Sequence, residues 1–126
     1  MLVKYIGVLF ALVIVVSSCG RKDSEDRFED ACGIAFPSDN TVLKDEFADA
    51  GKDYGILYNV QLTDAGIKEY SKSIRSAKNF TTVDSGKSNM WLPKDNGYSF
   101  YLAKDGIFYM IAVDTMTGIV SCSEQG

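Results

Sequence analysis

The side chains able to do covalent or acid–base chemistry are few here, and their spacing excludes more than it permits. Three cysteines stand at Cys19, Cys32 and Cys122, and the 126 residues include no histidine. That removes Ser-His-Asp and Cys-His catalysis, histidine metal sites and the usual general base at neutral pH. Cys32 and Cys122 have no Cys-x-x-Cys partner and no basic neighbour in sequence, so neither reads as a reactive thiolate. The one hydroxyl-x-x-lysine spacing, Thr41 to Lys44, falls in a predicted strand, where residues three apart point to opposite faces. Paired carboxylates can serve as the acid and base of a glycosidase, but Asp45, Glu46, Asp49 and Asp53 read as loop and strand-edge charges. There is no phosphate loop or dinucleotide fingerprint, and Asp114 to Gly118 lacks the alternating acids of an EF-hand loop. No catalytic residue, metal site or cofactor is expected.

The remaining cysteine has a distinctive setting. Met1 to Lys4 is a short charged start, Tyr5 to Val16 is an apolar run of about twelve residues, and two small residues, Ser17 and Ser18, precede Cys19. A spanning helix needs roughly twenty apolar residues, so this run reads as a processing signal. Val16-Ser17-Ser18-Cys19-Gly20 resembles the lipobox of a bacterial lipoprotein precursor. The resemblance implies cleavage before Cys19, a diacylglyceryl thioether on its sulfur, and attachment to a membrane through two or three acyl chains. Each buried methylene contributes about 0.8 kcal/mol, so two chains anchor durably where one binds reversibly. With Cys19 assigned to lipid, Cys32 and Cys122 remain as a pair, and an oxidising envelope is expected to join them in a disulfide. The enclosed loop is long, for which the chain-entropy model gives at most about 4 to 5 kcal/mol.

After Cys19, the basic pair Arg21 and Lys22 leads into Asp23, Glu25, Asp26, Glu29 and Asp30. Such a stretch reads as a solvated tether. It also resembles the lysine-then-acidic signal that directs lipoproteins of Bacteroidetes-type bacteria to the outer face of the outer membrane. The organisation predicted is a signal peptide over 1–18, a charged tether over 19–31 and a single domain over 32–126. The whole chain has a formal charge of −4, or −5 once Lys4 is lost, and shows no clustered basic face. Nucleic acid is therefore not an expected partner.

The elements follow from periodicity. Ser24 to Cys32 permits a short helix ending at Gly33, within the stretch otherwise read as tether. Thr41 to Phe47 reads as a strand and Ala48 to Lys52 as a loop, whereas Ile56, Tyr58, Val60 and Leu62 alternate as a half-buried strand should. Thr63 is placed as an N-cap, and Ile67, Tyr70, Ile74 and Ala77 make one apolar stripe of a helix that must lie on a sheet. Four strands follow, Asn89 to Pro93, Tyr98 to Lys104, Ile107 to Asp114 and Ile119 to Ser123. Asn96-Gly97 and Asp105-Gly106 are the predicted two-residue turns. The fold expected is α+β, one helix packed on an antiparallel sheet, in the order strand, strand, helix, strand meander. It resembles the small modules of many uncharacterised bacterial lipoproteins over roughly Pro37 to Cys122, in element order and in Trp91, the Tyr98 to Tyr101 strand and the Asp114 to Gly118 turn.

The hairpin register gives one face to Tyr98, Phe100, Leu102, Tyr109, Ile111 and Val113, with Cys122 inward. The opposite face then carries Leu92, Tyr101, Phe108 and Met110, which is a second layer under the N-terminal segment, a scatter of surface aromatics, or a partner surface. The function expected is a lipid-anchored, non-catalytic binding or accessory module of the bacterial cell envelope, on the outer membrane, contacting an envelope protein. The alternative is a small inhibitor or immunity-type envelope protein.

Overall fold

The computed structural model describes residues 23–126. The segment read as a signal peptide, Cys19 and the basic pair lie outside the described residues. The elements are α1 (Ser24–Cys32), β1 (Asn40–Ala50), β2 (Asp53–Leu62), α2 (Asp64–Ser76), β3 (Met90–Lys94), β4 (Gly97–Lys104), β5 (Ile107–Asp114) and β6 (Ile119–Gln125).

Two expectations are corrected at once. There are two helices on the sheet rather than one, so the predicted order of strand, strand, helix and strand meander gives way to helix, two strands, helix and four strands, and the segment predicted as tether over 19–31 is folded from Ser24 onward. The first helix is largely charged, yet Ser24, Phe28 and Cys32 recur every four residues and form a buried stripe. Phe28 is fully buried, its ring stacked 6.1 Å from Tyr58 and edge-on 6.4 Å from Tyr109. One phenylalanine driven between two tyrosines supplies the apolar contact that a solvated tether lacks. Glu25 and Asp26 lie in the first turn, where the helix dipole favours negative charge.

The six strands form one antiparallel sheet in the order β1-β2-β6-β5-β4-β3. From the β1–β2 hairpin, α2 carries the chain to the far edge, and β3 to β5 return toward the start. The last strand, β6, inserts between β5 and β2. At the β4–β5 hairpin Asp105 (φ 53°) and Gly106 (φ 77°) turn the chain, and Leu102 faces Tyr109, Phe100 faces Ile111 and Tyr98 faces Val113. The β3–β4 turn differs from expectation. Lys94 pairs with Gly97, so Asp95 and Asn96 form the loop and Gly97 belongs to the strand. Its φ is 155°, and a Cβ there would lie 1.7 Å from the Val113 carbonyl oxygen. The glycine serves a close crossing of two backbones rather than a turn centre. This shifts the β3–β4 register by two residues, which leaves every side chain on its predicted face.

Both helices cover the same face of the sheet. Thr63 caps α2 by accepting a hydrogen bond from the Gly66 N–H at 3.0 Å, and Ile67, Tyr70 and Ile74 are buried. Trp91 is fully buried, 5.1 Å from Phe100 and 6.2 Å from Tyr70 between ring centres. None of the helices among the described residues is long and apolar enough to cross a membrane.

Candidate functional site

Three constellations hold the chemistry of the described residues: a buried ion pair, two buried thiols and the uncovered face of the sheet. The first is centred on Glu124, which has no solvent exposure. Inward parity along β6 places Val120, Cys122 and Glu124 on the core face, where the carboxylate requires partners. Arg27 of α1 supplies a two-pronged contact, its Nε donating to Oε1 at 3.0 Å and its Nη2 to Oε2. The Tyr54 hydroxyl donates to the same Oε2. Burial, then the neighbouring carboxylate, pushes the Tyr54 phenol up to about 12, and Tyr109 rises for the same two reasons in the same order. Both carboxylate oxygens are engaged and the group is sealed from water, so it fastens α1 to the sheet and offers no free acid or base. Ser24 extends the attachment by donating to Asp45 Oδ1 of β1 at 2.6 Å.

Cys32 and Cys122 are brought into one part of the core, both buried and both free thiols. Burial raises the Cys32 thiol to about 11 and drives Cys122 upward, with the Cys32 charge adding to the latter. Cys32 Sγ lies 3.5 Å from the Ile34 carbonyl oxygen. The Tyr70 hydroxyl is buried beside both thiols, and burial, with the Cys32 sulfur next to it, holds its proton on. A thiol held protonated in an apolar core is inert as a nucleophile. Among the described residues no cluster of three His, Cys, Asp or Glu side chains could hold a metal ion.

The uncovered face assembles three of the four predicted contact residues. Met110 pairs directly with Tyr101, and the Tyr101 and Phe108 rings stack 6.5 Å apart at 22°. Tyr101, Phe108 and Met110 are 41%, 46% and 57% exposed. Leu92 is half-buried and stands apart. The two-residue register shift pairs it with Ser99 and puts Met90 opposite Tyr101 instead. Leu57, 44% exposed, was missed and completes the row through Ser123. The signal that could have found it is its outward parity in β2, the strand whose inward residues alternate most clearly.

Register thus lays out a ridge across five strands: Leu57, Ser123, Met110, Tyr101 and Met90. The adjacent row is Asn59, Ser121, Ala112, Ser99 and Leu92, mostly small groups. Ser121, Ala112 and Ser99 line a trough of about 480 Å³ that Lys94, Asp114 and Ile119 also border. From β2 to β3 these two rows, and the row of Gly55, Gln125, Phe108 and Ala103 beyond the ridge, carry no charged residue. In a chain that is 24% charged, such a depletion is what interface centres show.

No family model matches the chain, and no curated protein or solved structure shows significant similarity to it. The functional reading therefore rests on the residues themselves.

Proposed function

We propose that this chain is a lipid-anchored, non-catalytic binding or accessory module of the bacterial cell envelope. It is held through acyl chains on Cys19 and works by protein contact through the open sheet face. The observation that carries the contact reading is the charge-free, half-exposed row of Leu57, Met110 and Tyr101 on a face that neither helix covers. The non-catalytic reading is supported by the absence of histidine and by the engagement of Glu124 and both thiols within the core.

The folded start at Ser24 alters the anchoring expected from a long tether. Only five backbone steps separate Cys19 from α1, at most about 3.5 Å each, so the domain stands within roughly 18 Å of the lipid. A module so placed meets partners at the membrane surface. Anchoring is tested by metabolic labelling with a fatty-acid probe. Label and detergent partitioning are expected in the native chain and are lost in Cys19→Ala, which accumulates as precursor. A Cys19→Ala chain that still takes up label refutes the assignment.

A further inference from the structure

We infer that the partner seated on the open face is a second copy of this chain, packed sheet against sheet. The inference rests on the reading of that face as the contact surface and names its occupant. Three independent features of the fold select a copy of itself.

The first is relief. The ridge and the trough run side by side, perpendicular to the strands, two residues apart along them. A two-fold axis lying in the interface between these rows turns the ridge of one copy onto the trough of the other. Met110 then lies over Ala112 of the second copy, and Tyr101 over its Ser99. The strands of the two sheets run nearly antiparallel across the interface, the aligned class of sheet packing. Such a contact is isologous and closes at two subunits.

The second is charge and area. Each anchored copy carries a formal −5 once Lys4 is lost, which opposes most approaches of like chains, and the three charge-free rows lower that repulsion at the centre of the contact, with Lys94 and Asp114 at its margin. With strands about 4.8 Å apart and residues about 3.4 Å apart, the face from β2 to β3 is roughly 24 Å wide in plan and about 27 Å deep at β4 and β5, narrowing to about 17 Å at the five-residue β3. Side-chain relief raises this toward the roughly 800 Å² per partner of a standard interface.

The third is where the chain enters. Ser24 is bonded to Asp45 on β1, so α1 starts at the β1 edge of the sheet. The proposed axis runs along the order from β1 to β3 and therefore keeps both β1 edges at one end. The segments leading back to Cys19 leave the pair on the same side, so both lipids reach one bilayer.

The full chain, purified in mild detergent, is examined by sedimentation with the detergent density-matched. A dimer is expected, and Met110→Glu should raise its dissociation constant by at least about 100-fold because the new charge is buried without a partner. Ala112→Phe separates the geometry from mere stickiness. It adds apolar surface but fills the trough, so it should also yield monomers, and tighter association would overturn the proposal. A native chain that is monomeric at about 100 μM would overturn it too. A photo-reactive phenylalanine analogue at position 110 in intact cells distinguishes the two levels of reading. An adduct to the Ala112 strand of another copy supports the dimer. An adduct only to a different envelope protein refutes the dimer while keeping the contact face, and no adduct at all counts against both.

Discussion

Glu124 is the residue on which the attachment of α1 depends, and its removal leaves a guanidinium facing the core. Breaking a buried pair costs about 3 to 5 kcal/mol, but Arg27 retains 22% side-chain exposure and can turn toward water. Glu124→Ala is therefore expected to cost about 2 to 3 kcal/mol by urea unfolding. The double change Arg27→Met with Glu124→Met should recover most of that loss, since an apolar pair needs no partners. Equal losses in the single and double variants would show that the ion pair itself is net stabilising. The thiols pose a different question at the same scale. In the oxidising envelope proposed for this chain, exchange with an external disulfide before the core closes over the thiols takes two electrons from Cys32 and Cys122, releases two reduced thiols and leaves a bond between α1 and β6. Non-reducing peptide mapping of envelope-purified chain is expected to recover that cross-link. Quantitative alkylation of both cysteines after denaturation would exclude it.

Among the elements, the β3–β4 hairpin is the most sensitive to a single methyl group. Gly97 passes so near the Val113 carbonyl that alanine cannot be accommodated without separating β4 from β5. Overpacking of this kind costs about 1 to 3 kcal/mol, and Gly97→Ala should fall at the upper end because backbone must move. The matching change at Gly51, where a Cβ meets nothing within 4 Å, serves as control for positive φ alone. A similar fall in melting temperature for both variants would assign the effect to φ rather than to contact. The edge position of β3 matters as well: its outer side is bridged at Trp91 by Asn79 and Thr81, and Pro93, two residues further on, has no N–H to leave unpaired there.

At the scale of the whole molecule, the raised phenols and thiols couple stability to alkaline pH. Tyr54 and Tyr58 rise from 10 to about 12 on folding, chiefly by burial, and Cys32 rises from 9 to about 11. Each holds its proton more tightly folded than unfolded. The unfolded chain therefore binds fewer protons in the window between, and stability falls as pH rises. Stability is expected to be insensitive to these groups below about pH 9, then to drop through pH 12. If Cys32 and Cys122 are joined, the thiol contribution disappears and the drop begins near pH 10. Denaturant unfolding at steps from pH 8 to 12, with and without reductant, distinguishes the two curves, and a flat profile to pH 12 would contradict the burial of these groups.

Local pattern determined a good deal by itself: the alternation of Ile56 to Leu62, the Thr63 cap and the α2 stripe, the Asp105-Gly106 turn, and the face on which Tyr101, Phe108 and Met110 lie. These are readable because side-chain direction repeats every two residues in a strand and every 3.6 in a helix, so neighbours along the chain carry the information. The charged segment Ser24–Cys32 was underestimated because its apolar stripe is narrow and its stability comes from Tyr58, Tyr109 and Glu124, far away in sequence. The burial of Glu124 depended likewise on Arg27 and Tyr54, and Leu57 met Met110 only because β6 was inserted between β2 and β5. Pairing between distant strands is settled by the shared core rather than by either strand, so the ridge, the trough and the ion pair exist only in the assembled sheet.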